Sequence, residues 1–216
     1  MKIKNGFIFT AIAVAGALIA GPASAADLGG YVGIAAGQSR ADVDKGEIDS
    51  AFASLGLGSR TSTDETDFGF KVYGGYQFNQ YFAVEGGYTN LGKAKSHSVV
   101  TSGGSGTADG EWKSYSIDVS ALGILPLGNQ FALFGRAGVS LWDVKFDFSA
   151  NGSGGAASTS ESENGVSPLL GIGGMISLSS NWTARAEFER HFSVGKSDTT
   201  GKSDIDLISV GLQYRF

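Results

Sequence analysis

The sequence predicts an all-β fold, an eight-stranded antiparallel up-and-down transmembrane β-barrel, and three observations carry that prediction. Beyond residue 25, apolar side chains recur with a period of two and nowhere sustain the i, i+3, i+4, i+7 spacing of an amphipathic helix. Connections between the alternating runs are short and long in strict turn, as in barrels whose periplasmic turns are tight and whose outer loops are extended. The face opposite the apolar one carries glycine, serine or charge at nearly every position. A soluble sandwich or lipocalin-like barrel also alternates, but it would pack large side chains inside, and buried charge is tolerated only when paired.

The first element is a label and not part of the fold. Lys2 and Lys4 give a positive start, Phe7 to Ala20 is an apolar run of 14 residues, and Ala23-Ser24-Ala25 offers a small-residue cleavage site. That is the pattern of a secretory signal peptide over residues 1–25, and the run is shorter than the roughly 20 residues of a helical membrane span. Cleavage near Ala25 leaves 191 residues with 14 basic and 21 acidic side chains, a formal charge of -7. So acidic a chain argues against nucleic-acid binding, which needs clustered Lys and Arg. With no cysteine and only His97 and His191, thiolate chemistry, disulfides and multi-histidine metal centres are excluded. Neither a cofactor nor a resident metal is expected.

Residues 26–216 make the expected barrel. Alternating runs fall at about 28–38, 66–78, 81–93, 112–125, 131–146, 167–178, 182–193 and 204–216. In the last, Ile208, Val210, Leu212, Tyr214 and Phe216 share one side, with Ser209, Gly211, Gln213 and Arg215 on the other. Tight turns lie at Asn79-Gln80, Pro126 to Gln130 and Ser179 to Asn181; long loops are expected over 39–65, 94–111, 147–166 and 194–203. Phe78, Tyr81, Phe82, Phe131, Trp182, Tyr214 and Phe216 cluster beside the short turns, as an aromatic girdle at one bilayer interface would. Trp112, Tyr115, Trp142, Phe146, Phe188 and Phe192 stand near the long loops as its counterpart. The alternation breaks after Leu141, where Trp142-Asp143 either leaves the hydrocarbon or forms a bulge.

The strand phase turns Lys71, Glu85, Asp118, Arg136, Arg185, Glu187, Glu189 and Arg215 into the lumen, four charges of each sign. An eight-stranded barrel is just wide enough for side chains to fill, so the reading is a charge-paired plug that stabilises the barrel. Partner exchange among these pairs to open a narrow ion path is the alternative. Outward near the outer rim, Lys113 and Arg190 read as snorkelling cations, with lipopolysaccharide phosphates as the alternative contact.

The stretch from Asp204 to Phe216, the segment Arg185-Ala-Glu-Phe-Glu-Arg190 and the run Tyr73 to Asn79 followed by Val84 to Gly92 resemble the transmembrane domain of OmpA-like outer-membrane proteins. The resemblance covers essentially the whole chain after residue 25 and implies the same barrel in the cell outer membrane of a Gram-negative bacterium. It implies that Glu85, Arg136 and Arg185 belong to an interior acid-base network, with Met175 standing where an acidic partner is common, so that Glu187 takes part instead. It also implies that Tyr214 and the terminal Phe216 form the signal read by the barrel-assembly machinery. Full-length OmpA-like proteins continue into a peptidoglycan-binding domain, and this chain, ending at Phe216, is expected to lack it.

Enzymatic readings fare poorly. His191-Phe192-Ser193 resembles the His-x-Ser pair of lipid A deacylases, with Asp204 or Asp206 as orienting group, but the surrounding Asn and Gly residues are absent and His191 reads as an interfacial aromatic. His97 sits between serines without a visible carboxylate partner. Gly195-Lys196-Ser197 and Gly201-Lys202-Ser203 lack the upstream glycine and following helix of a phosphate loop. Asp42, Asp44, Glu47 and Asp49 lack calcium-loop spacing. The expected function is therefore that of a non-enzymatic outer-membrane barrel contributing to envelope integrity and cell-surface properties. Its expected partners are outer-membrane lipid and lipopolysaccharide, with a host or phage ligand at the loops as an adhesin or receptor alternative.

Overall fold

A computed structural model describes residues 29–41, 45–54, 56–102, 105–152, 155–195 and 202–216; the expected signal peptide lies outside them. The described chain forms β1 (Gly29–Ala41), α1 (Lys45–Ser54), β2 (Gly58–Asp64), β3 (Thr66–Asn79), β4 (Phe82–Ser102), β5 (Gly106–Pro126), β6 (Phe131–Gly152), β7 (Gly155–Ser177), β8 (Trp182–Val194) and β9 (Ser203–Arg215). Every pairing is antiparallel. β1 pairs with β3 and β9, consecutive strands pair from β3 through β9, and the β4–β5 ladder closes the circuit. Eight strands thus form an up-and-down barrel, the expected fold, and β2 is an added ninth that pairs with the outer part of β4.

Burial is inverted relative to a soluble protein. Val32, Ile34, Val72, Val119, Val139, Ile172, Ile208 and Val210 are exposed, Val210 to 67 %, while Lys71, Glu85 and Glu189 are buried. Side chains of alternate residues leave opposite faces of a strand, so the period of two read from the sequence becomes an apolar outer belt and a polar interior. Near the short turns, Tyr76, Phe78 and Phe82 pack in series, as do Trp182, Tyr214 and Phe216.

The regions expected to be long loops differ from expectation. Residues 94–102 continue β4, 106–111 begin β5, 147–152 continue β6 and 155–166 begin β7; the 39–65 loop contains α1 and β2. Cross-strand pairing sustains these polar, serine-rich ribbons, because a ladder needs backbone partners and not an apolar face. β6 and β7 run for 22 and 23 residues, against about 10 for a tilted membrane strand, whereas β1, β8 and β9 have 13 each. The wall is tall on one half of its circumference and low on the other.

β4 changes partner where it leaves the barrel. It pairs with β3 as far as Asn90 and with β2 from Lys95. Between them a bulge lets Gly92 take φ +76°, with its N–H donating to Asn90 Oδ1 at 2.8 Å, and the Lys93 N–H donates to Asp67 Oδ2 at 2.8 Å. The inward parity shifts from odd to even residues across this bulge, which turns Lys93, Lys95 and His97 outward. No such shift occurs at Trp142-Asp143: β6 keeps register with both neighbours. Of the two alternatives, the bulge is excluded; β6 passes through Trp142-Asp143 in unbroken register, and Trp142 is buried in the lumen.

Candidate functional site

The lumen is layered along its axis. Nearest the short turns lies an apolar cluster of Tyr31, Tyr73, Ala83, Leu122 and Phe134, with Met175 packed against it. Four inward aromatics each face a glycine directly across the ladder: Tyr31 opposite Gly75, Tyr73 opposite Gly33, Phe134 opposite Gly173, and, farther out, Trp142 opposite Gly165. A Cβ at any of these four glycines would overlap the facing ring, which accounts for part of the chain's high glycine content.

Above this cluster six charges interlock. Lys71 Nζ lies 2.8 Å from Glu187 Oε2 and 2.6 Å from Glu189 Oε2. Arg185 reaches Glu85 at 2.5 Å and Glu187 at 3.0 Å. Arg136 bonds Glu85 and, at 2.7 Å, Glu187. All six side chains are at most 2 % exposed. Tyr31 Oη donates to Glu85 Oε1 at 2.8 Å, and the Arg185 guanidinium sits 4.1 Å from the centre of the Phe134 ring. Three cations and three carboxylates share partners in a water-poor space, where such contacts are strong and a missing member is costly.

The other predicted charges stand apart. Asp118 lies one layer farther out, accepting the Thr89 hydroxyl at 2.6 Å, with His191 Nδ1 3.9 Å from its second oxygen. Arg215 lies at the short-turn end and donates to Gln77 Oε1 at 2.8 Å. Above Asp118 a second apolar cluster, Leu91, Trp142, Val144, Val194 and Ile205 with Trp112 against it, crosses the lumen toward the outer side. Trp112 and Trp142 thus belong to an inner cap and not to a lipid-facing belt. On the outward face of the tall ribbons lies an open polar groove whose lining includes His97, Asp109, Glu111 and Asp147.

The two histidines also depart from expectation. His191 is fully buried in the lumen with Nδ1 3.1 Å from Ser140 Oγ, and not at a lipid interface. Ser193, at φ 51° in the bulge that ends β8, is exposed, so the two do not share a face as nucleophile and base would. His97 lies opposite Asp109, with Nδ1 2.6 Å from Oδ1. Among the described residues no group of three potential metal ligands occurs; of the acidic cluster, Asp49 accepts Ser59 and Thr61 at 2.6 and 2.8 Å, and Asp42 and Asp44 lie outside the described residues.

A family model described as the OmpA-like transmembrane domain matches residues 25–216. The chain belongs to that family. Curated relatives of this OmpA-like chain include outer membrane protein A of Serratia marcescens, 28 % identical over 99 % of the chain and 56 % of the relative, and that of Yersinia pseudotuberculosis, 30 % identical over 71 % and 41 %. The chain spans about half the length of these relatives. Neisserial surface protein A, a solved structure, matches with a TM-score of 0.54 at 19 % identity, covering 87 % of this chain and 97 % of that one, which bears on the fold alone. An OmpA-like domain of this architecture is an outer-membrane β-barrel, and lipid and lipopolysaccharide are its surroundings.

Several members of the lumen were not singled out in the sequence. Thr89, Ser140 and Tyr31 are short or aromatic side chains at inward phase, and phase alone flags them. His191 had a clearer signal, since it continues the inward series Arg185, Glu187, Glu189 on β8.

Proposed function

We propose that the protein is a non-enzymatic structural barrel whose lumen is closed by paired charge, and that it contributes to envelope integrity and to the properties of the cell surface through its tall outer ribbons. The observation that carries this reading is the mutual pairing of Lys71, Arg136 and Arg185 with Glu85, Glu187 and Glu189 between two apolar clusters. Tyr214 and Phe216 serve as the signal for the assembly machinery, and the ribbons are the surface that a host or phage ligand meets. The test is a deletion strain scored for detergent leakage and for surface adherence: leakage restored by the full chain supports the structural role, and adherence loss without leakage overturns it. A second reading, a narrow ion path opened by exchange of pairs, is favoured by the sharing of Glu85 and Glu187 among several cations. Planar-bilayer recording separates the two. Closed traces for the purified barrel support the plug, and reproducible conductance, small or large, supports the path.

A further inference from the structure

The lumen charges do not balance. Among the described residues between the two apolar clusters, the cations Lys71, Arg136 and Arg185 face Glu85, Glu187, Glu189 and a fourth carboxylate, Asp118. Arg215, at the short-turn end, is engaged by Gln77. Asp118 is 2 % exposed. Its Oδ2 accepts the Thr89 hydroxyl, whereas Oδ1 has no hydrogen-bond partner among the described residues and stands 3.9 Å from His191 Nδ1, too far for a hydrogen bond. That ring is engaged with Ser140 Oγ instead, at 3.1 Å. A buried carboxylate without a countercharge is among the costliest groups a fold can carry.

Hydroxyl groups surround it. Asp118, Ser140 and Ser167 stand in one row across β5, β6 and β7 in direct register, and Thr89 and Ser116 face each other in the next row toward the outer side. All five residues are at most 4 % exposed, and the Oγ atoms of Ser116 and Ser167 lack hydrogen-bond partners among the described residues, as Asp118 Oδ1 does. Buried polar atoms are nearly always satisfied. Three orphaned oxygens on one patch of the inner wall, one of them charged, therefore point to a bound group that is polar and positive.

We propose that this patch binds a dehydrated monovalent cation of sodium size. Charge selects a cation over water, since water satisfies the oxygens but leaves the excess carboxylate uncompensated. Oxygen donors suit hard cations, and one carboxylate among neutral hydroxyls matches a single positive charge. A divalent ion would call for more: among the described residues no group of three potential metal ligands occurs. Asp118 Oδ1 supplies the charge, Ser116, Ser140 and Ser167 supply neutral oxygens, and Thr89 fixes the carboxylate through its hydrogen bond. With the ion in place the layer between the apolar clusters is neutral. This site rests on the closed lumen of the proposed function, because an open lumen would leave Asp118 to solvent.

The test uses the chain folded in zwitterionic vesicles with a chelator present. Urea unfolding in sodium chloride is compared with unfolding in tetramethylammonium chloride at equal ionic strength, the second cation being too large to sit among the hydroxyls. Greater stability in sodium is expected: a site of about 10 mM affinity lowers the unfolding equilibrium constant about tenfold in about 100 mM sodium. Asp118→Asn abolishes the difference between the salts, and Ser116→Ala combined with Ser167→Ala narrows it to about twofold with the carboxylate still in place. Should Asp118→Asn not fold, the serine variant decides. Three results overturn the proposal: equal stability of the unsubstituted chain in the two salts, the mark of water alone in the layer; stability that follows pH and not the salt, the mark of a proton on His191; and a sodium effect that survives in the variants. Conductance is recorded separately. Closed traces beside equal stability in both salts dismiss the ion and leave the closed lumen standing, whereas reproducible conductance removes the closed lumen itself.

Discussion

The same residue types make two different kinds of ion pair in this molecule. In the lumen, Arg136, Arg185 and Lys71 each contact at least two carboxylates and are almost fully screened from water. In the ribbons, Lys113, Glu111 and Asp147 lie at similar distances but remain 28 to 48 % exposed. Distance does not distinguish the two; surroundings do, because a charge removed from water depends wholly on its partners, whereas an exposed one falls back on solvent. The lumen is therefore a unit that fails together, and the ribbons fail piecemeal.

The most severe way to break that contrast is to remove one lumen cation. Arg136→Met strands Glu85 and Glu187 beside too little positive charge, and the expected loss is about 3–5 kcal/mol in denaturant unfolding from lipid vesicles. A smaller loss is expected from Gly173→Val, which drives a side chain into the Phe134 ring and costs about 1–3 kcal/mol by overpacking; thermal unfolding followed by gel mobility reads it. Smaller again is acidification of the ribbons. Ser160 and Lys113 hold the Asp147 carboxyl below its usual range, and Lys113 does the same for Glu111. A depressed carboxyl contributes order above its ordinary range and loses it as pH falls through the depressed value. Amide exchange in residues 106–113 and 145–152 should then quicken in acid while the β8 and β9 amides stay protected. Smallest of all is Lys113→Met at neutral pH, for which no shift of the unfolding midpoint is expected. A shift as large as that of Arg136→Met would erase the distinction between the two regions.

Much of this was legible in the sequence, for a physical reason. A strand in a barrel has only two faces, so fixing the phase at Phe188 or Val72 fixes the orientation of Glu187 or Lys71 without knowledge of the fold's details. Where phase continues through a ladder, as along Arg185, Glu187, Glu189 and His191, the interior could be read in order. What escaped was whatever depends on pairing and not on hydrophobicity. Residues 94–111 and 147–166 lack an apolar face, so period-two reading left them as loops, although backbone ladders hold most of them as strands. The bulge at Gly92 reverses parity in β4 without any change in composition that would announce it. Trp142 looked like an interfacial tryptophan because its type is common there, and only its register opposite Gly165 reveals that it points inward.

The unequal strand lengths have a consequence in the plane of the bilayer. β4, β5, β6 and β7 are consecutive around the circuit and are the four longest strands, so turning the molecule about the membrane normal does not return an equivalent object. Anything drifting toward it laterally meets a parapet from one quarter and an open sill from the other. Crowding among such molecules is consequently directional, and each has a heading as well as a position.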